Sequence, residues 1–372
     1  MANFSFTRIA DTNDGMFSSL RPPAINDAGT LVFRAEFGQD SSEEQGIFTG
    51  SGTGTTKITD TIGSFASFGT PSINTQGTVV FSAVLDEGED GIFTSNGSTT
   101  TTIADTSGLF DLFGFAPAIN DMGMVAFNAL TDAGEEGIFS SDGSTTTTIA
   151  DSSGSFRLFG SPSINNEGTV AYRAFLGEVG GIYKGDGTTT TTIADGSGLF
   201  SDFFTVPGIN DSGEVVFSAR RGDKDGIFIS NGTEIATIAD TEGKFSFFGD
   251  GTYINNAGQV AFTADLDNAG VALGIYTAPN NAVIAAGDQL LGSTVRGISV
   301  LSTGGLNNNG QIAFLASFED GNTAVFRADP VATPVPEASS SIGLLAIAAI
   351  ATINYFWRNW KQSSKISEDG IN

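Results

Sequence analysis

The chain has 372 residues, among them 49 glycines and 31 phenylalanines, with 42 acidic against 16 basic side chains, no cysteine and no histidine, for a formal charge of −26. Without Cys or His it builds no disulfide, no thiolate nucleophile, no Ser-His-Asp triad and no zinc site of those ligands. Its acidity argues against a phosphate backbone as partner, so no nucleic acid is expected. The phenylalanine content and β-branched runs are too high for a disordered low-complexity chain, and the length suffices for a large core.

In chain order, the opening residues Asn3-Phe4-Ser5-Phe6-Thr7-Arg8-Ile9-Ala10-Asp11-Thr12 read like the last strand of each later unit, such as Thr102-Ile103-Ala104-Asp105-Thr106. The chain therefore enters mid-repeat. Met1 leads almost directly into that strand, with no basic segment followed by an apolar leader. Either the true start lies upstream or this copy is not exported, and the charge asymmetry of the C-terminal tail favours the first.

Next comes the stretch that recurs, Ile25-Asn26-Asp27-Ala28-Gly29-Thr30-Leu31-Val32-Phe33-Arg34-Ala35, with later copies opening at Ile73, Ile119, Ile164, Ile209, Ile254 and Leu306. Asn folding onto the backbone, followed by a Gly free to take positive φ, closes a tight turn. The run after it has a period of two and is apolar on both faces. Phe33, Phe81, Phe127, Tyr172, Phe217, Phe262 and Phe314 share one register, and Val32, Val80, Ala126, Ala171, Val216, Ala261 and Ala313 the other. That is a strand in a sheet sandwiched between two others.

The turn glycines are spaced by 48, 46, 45, 45, 45 and 52 residues, which suits a four-stranded propeller blade. The second unit reads as strands over 65–73, 78–85, 91–95 and 99–105. The seventh unit ends before a fourth strand, the one the N-terminus carries. The fold class expected is all-β, a seven-bladed β-propeller over 1–329 closed by the N-terminal strand, which removes an abnormal open edge. An open β-solenoid, or a ring not closed this way, remains the alternative.

Acidic loops and the Asp crossovers (Asp11, Asp60, Asp105, Asp151, Asp195, Asp240) fall at one end of such a ring. That end should be strongly negative and the end with the Asn-x-x-Gly turns near neutral. A crossover Asp repeated so often suits turn capping better than catalysis. Calcium is a candidate ligand for Asp86, Glu87, Glu89 and Asp90, or for Asp132, Glu135 and Glu136, although neither loop has EF-hand spacing. Gly50-Ser51-Gly52-Thr53-Gly54 lacks the Gly-Lys-Ser/Thr ending of a phosphate loop, and Arg221-Gly222-Asp223 suits a hairpin tip.

From 330 to 341 the chain is a Pro- and Ser-rich linker. Ile342 to Trp357 then runs 16 residues without charge, and Tyr355, Phe356, Trp357 and Trp360 form an aromatic belt followed by Arg358, Lys361 and Lys365. A transmembrane anchor helix over 342–361, with a polar tail at 362–372, is expected, its basic end cytoplasmic and the propeller outside. Val335-Pro336-Glu337, Ser339-Ser340, Gly343-Leu344-Leu345 and the basic end together resemble the PEP-CTERM sorting tail of bacterial envelope proteins, with Ala338 where a second Pro would stand. The resemblance implies export, transient membrane anchoring, and cleavage near 336–338 by an exosortase-type protease. The repeats are similar to the NxxGxxxAF tandem-repeat (choice-of-anchor) surface proteins.

The functional expectation is an exported, membrane-tethered, non-enzymatic module at the cell surface, binding extracellular polysaccharide or a surface protein. The competing expectation is an envelope polysaccharide hydrolase working through Asp and Glu on the acidic face. Two unpartnered carboxylates facing one another in a deep central pocket would favour the hydrolase.

Overall fold

The computed structural model describes residues 3–38, 44–266, 273–278, 281–300 and 304–331, all inside the compact unit 1–331. The expected sorting motif (Val335, Pro336, Glu337) and anchor (Ile342, Trp357, Arg358, Lys361) lie outside the described residues. Among the described residues no helix is long and apolar enough to cross a membrane.

Seven antiparallel sheets form, one per repeat. In blade two, Phe65–Phe68 and Ser72–Ile73 both pair with Val79–Leu85, which pairs with Asp90–Ser95, which pairs with Thr100–Asp105. The expected single inner strand is thus split. Pro71 has no N–H for the ladder, and a side chain at Gly69 would collide with Ser82 Oγ and the Phe115 carbonyl, so the chain steps out of register there. Blade six lacks that proline, and Phe245–Ile254 runs through, with a bulge between Phe248 and Thr252.

The period-two reading accounts for the core. In each blade the second-strand aromatic stacks on one from the third strand. Phe33 and Phe48 lie 6.0 Å apart at 21°, with Phe17 meeting Phe48 edge-on at 4.9 Å. The same stack recurs as Phe81–Phe93, Phe127–Phe139, Tyr172–Tyr183, Phe217–Phe228, Phe262–Tyr276 and Phe314–Phe326. Such pairs contribute about 0.5–1.5 kcal/mol each beyond the area they bury. The small face of each blade is covered by the large face of the next. Ala313 and Val325 of blade seven pack into the cluster of Phe17, Phe33 and Phe48 of blade one.

Blade seven is completed by the N-terminus. Asn3–Asp11 pairs antiparallel with Thr323–Val331, from Asn3 opposite Val331 to Asp11 opposite Ala324. Beyond Ala328 that partner strand pairs on this side alone, where the missing N–H of Pro330 is tolerated. The register skips Ile9, as the outer strand of blade two skips Ile103. Equivalent bulges at equivalent isoleucines identify Asn3–Asp11 as the missing fourth strand. Phe6 meets Phe314 edge-on at 6.1 Å, and Thr12 N–H donates to the Thr323 carbonyl at 3.0 Å. The crossover before this blade is longer than the others and forms an extra hairpin, Gln289–Leu290 against Ser293–Ser299.

Two local departures carry predictions. Leu158 holds φ of 53°, a region that disfavours a Cβ. Its inner strand is only Phe156–Arg157, because Glu136 of blade three accepts the Phe159 N–H at 3.2 Å while Asn128 donates to the Phe159 carbonyl at 3.0 Å. Those bonds fix Phe159 just after the turned residue, while Arg157 before it pairs with Phe175. Leu158→Gly is expected to raise stability by about 0.5–1 kcal/mol, read as a higher Tm, because relief of strain exceeds the added unfolded-state entropy. A lower Tm would show that the left-handed backbone is unstrained.

Asp265, buried on the second strand of blade six, has one carboxylate oxygen without a hydrogen-bond partner among the described residues, and burial pushes its pKa upward. For an acid raised in the folded state, the proton stabilises the fold, so this contribution is full below the unfolded pKa of about 3.9 and is lost as pH rises through the folded value. Asp265→Asn should therefore match the parent protein in acid and exceed it in Tm at neutral pH. Equal pH profiles for the two proteins would refute this.

Candidate functional site: the axial mouth

The Ile-Asn turns of all seven blades meet on the axis. Asn26 Nδ2 donates to the Asn74 carbonyl at 2.8 Å, and the pattern continues through Asn74, Asn120, Asn165, Asn210 and Asn255 to Asn307, which donates to the Asn26 carbonyl at 2.8 Å. The seven links, between 2.8 and 3.4 Å, close a ring. Each Oδ1 in turn accepts the main-chain N–H four residues on, as Asn165 does from Thr169 at 2.8 Å. One side chain therefore closes its own turn and ties its blade to the next. All seven are buried, as polar groups can be when fully bonded.

Sequence reasoning found the turn and missed the link between blades. A signal was present: a turn tolerates Asp as well as Asn, yet in this acidic chain none of the seven copies uses Asp. Only the amide can donate to the neighbouring carbonyl.

Above the asparagines lies a second circle: Asp27, Thr75, Asp121, Asn166, Asp211, Asn256 and Asn308. Side-chain oxygens here accept main-chain N–H groups from the preceding blade, as Asp121 does from Thr75 at 2.8 Å and Asp27 from Asn308 at 2.8 Å. The second carboxylate oxygens accept from asparagine amides, with Asn256 on Asp211 at 2.6 Å and Asn308 on Asp27 at 2.7 Å. Together the two circles bound an open polar cavity of about 170 Å³. On its inner side a second space of about 180 Å³ is lined by the isoleucines of the repeat, with Thr252 and Tyr253. The end expected to be near neutral thus carries Asp27, Asp121 and Asp211 at its centre. The position needs only an acceptor, which Asp and Asn both supply, so charge enters without being required by the fold.

At the opposite end the crossover aspartates cap turns as expected. Asp105, Asp151 and Asp195 each accept the N–H two residues on, at 3.0, 3.1 and 3.0 Å. The calcium candidates are distributed along two hairpin tips. Asp86, Glu87, Glu89 and Asp132 are exposed, while Asp90, Glu135 and Glu136 are half-buried. Glu136 is occupied by Phe159 and Asn128, and among the described residues no three acidic side chains form a group able to hold a metal ion. Melting with and without Ca²⁺ decides the calcium reading, since a ligand that binds the native state raises Tm.

Blades, axial ring and terminal closure define a seven-bladed β-propeller. The chain belongs to the Family of unknown function (DUF7453), whose model matches residues 7–106, 56–283 and 106–342. A search of curated proteins found no match. Among solved structures it is similar to the β-propeller domain of the Trilobed protease from Pyrococcus furiosus, with 10% identity and a TM-score of 0.55 over 88% of this chain and 99% of that one. It is also similar to oligogalacturonate lyase from Vibrio parahaemolyticus, with 14% identity and a TM-score of 0.53 over 90% and 98%. Prolyl oligopeptidase B from Galerina marginata matches at 9% identity and a TM-score of 0.53, over 82% of this chain and 47% of that one. At such identities the likeness concerns the fold.

Proposed function

We infer that the protein is an exported, membrane-tethered, non-enzymatic propeller acting as a surface binding or extracellular-matrix module. One observation carries the non-enzymatic part: the carboxylates at the axis are occupied in joining blades. Asp211 accepts from Asn166 N–H, Asn166 Nδ2 and Asn256 Nδ2, and Asp27 and Asp121 are each bonded through both oxygens. General acid–base chemistry needs a carboxylate free to exchange a proton with substrate. The Pro-Glu linker, uncharged run and basic end support the address, with extracellular polysaccharide or a surface protein as partner and an exosortase-type protease as processing enzyme. Fractionation with mass spectrometry of the mature ends, together with a glycan array and a turnover assay on the same protein, tests both parts. Envelope recovery with binding and no turnover is expected. Turnover of a bound polysaccharide would establish the hydrolase instead, and a cytosolic chain with an intact tail would end the export reading.

A further inference from the structure

Between residues 58 and 156, which span blades two and three, the sequence has 13 Asp and Glu and no Lys or Arg. At the seam of those blades lies a mostly apolar slot of about 150 Å³, lined by Phe68, Gly69, Ser82, Asp90, Leu112 and Phe115. Its origin is local. At the seam between blades one and two, Arg34 reaches across to the Phe68 carbonyl, and at the seam between three and four Asn128 reaches the Phe159 carbonyl. The equivalent residue at this seam is Ser82, whose shorter side chain leaves the volume open while bonding the Phe115 carbonyl at 3.1 Å.

That carbonyl also accepts the Thr70 N–H at 2.8 Å, so the Phe115 backbone is fixed from blade two while its ring stands 80% exposed. Leu112, beside it, is 52% exposed. An exposed apolar side chain alone is ordinary, but Leu112 and Phe115 both line this slot with Phe68 and so form a contiguous apolar surface around a recess, the kind that marks a binding site.

We propose that this slot is a docking site for a basic peptide segment that inserts one bulky aliphatic or aromatic side chain between Leu112 and Phe115 and sets Lys or Arg beside it, against Asp90. Charge complementarity selects this occupant. Blades two and three contribute 13 acidic side chains over residues 58–156 and no cation, which outweighs the one Arg34 guanidinium of blade one held at the Phe68 carbonyl. An acidic segment is therefore repelled and a basic one attracted, while the apolar walls supply the anchor. The proposal is independent of how the chain is addressed and of whether the axial mouth binds anything.

The test uses the full-length chain and three labelled peptides, one mixing Lys with Leu and Phe, one with Glu in place of Lys, and one with Ser in place of Leu and Phe, followed by fluorescence anisotropy. Binding of the first alone is expected, weakening about tenfold or more between low and high salt as surface charge is screened. Leu112→Ser with Phe115→Ser should weaken it about tenfold or more, the loss of one buried apolar anchor. The exposed Phe247 of blade six serves as control, and Phe247→Ser should leave binding unchanged. Leu112 and Phe115 are exposed, so an unchanged Tm separates lost binding from lost folding. Equal binding of the Glu peptide, insensitivity to the double substitution, or occupation of the slot by a glycan and not by the Lys peptide would each overturn the proposal.

Discussion

Removal of residues 1–11 is expected to abolish cooperative folding, at a cost above about 5 kcal/mol, comparable to the whole stability of many domains. The deletion strips Thr323–Val331 of one ladder, uncovers Phe314, and removes buried Ile9 and Ala10 from the seam between blades seven and one. It also leaves an open edge of the kind that templates aggregation. Two further measurements keep the result informative. Ile9→Ala, which leaves the ladder in place, should cost about 2–4 kcal/mol through the cavity at that seam. A synthetic peptide of residues 1–12 added during refolding should restore a cooperative transition by strand addition. A truncated protein that melts like the full chain would mean that the ring does not need its N-terminus.

Breaking the axial ring is expected to have the second largest effect, and its pH dependence separates it from simple loss of packing. Asn120 donates to the Asn165 carbonyl at 2.9 Å and accepts from Met124 and Met122 at 2.9 and 3.1 Å. Asn120→Leu removes three hydrogen bonds, leaving the Asn165 carbonyl with the Gly168 N–H alone and the Met122 and Met124 N–H groups without their side-chain acceptor, and should cost about 3 kcal/mol at roughly 1 kcal/mol per bond. Asn120→Asp keeps the acceptor but loses the donor and points a carboxylate at a carbonyl, which should cost at least as much at neutral pH. Burial beside that carbonyl raises the introduced acid in the folded state. Protonation then stabilises the fold: the deficit is smallest below the unfolded value of about 3.9 and grows as pH rises through the folded value. Asn120→Leu should show no such recovery in acid. If the Asp variant melts like the parent protein at neutral pH, the amide link between blades is not structural.

What the sequence disclosed, and what it withheld, follows from the range of each interaction. The Phe and Ala registers, the glycine spacing and the likeness of residues 3–12 to later outer strands are relations along the chain or between copies. They led to seven blades and to closure by the N-terminus. The Asn120 side chain, in contrast, acts on a residue 45 positions away, and nothing in a single repeat distinguishes a turn-closing Asn from one that also donates across a seam. Comparing copies would have, because the amide is never exchanged for an acid. Leu158 was illegible for a related reason: its backbone is set by Glu136 and Asn128 of another blade. The acidic centre at the Asn-x-x-Gly end was hidden because one acceptor role admits Asp27 and Asn308 alike. The slot beside Phe115 arises where the seam residue is Ser82 and not a longer one such as Arg34 or Asn128, a difference that matters once neighbouring blades are known to share it.

Hydrogen exchange with mass spectrometry on the full-length protein tests the closed ring most directly, without altering a residue. Amides of Asn3–Asp11 that bond to Thr323–Val331 should exchange as slowly as those of the interior strand Ile312–Phe318, because both are released only when the ring opens. Exchange of residues 3–11 at the rate of a free terminus, while 312–318 stays protected, would contradict it.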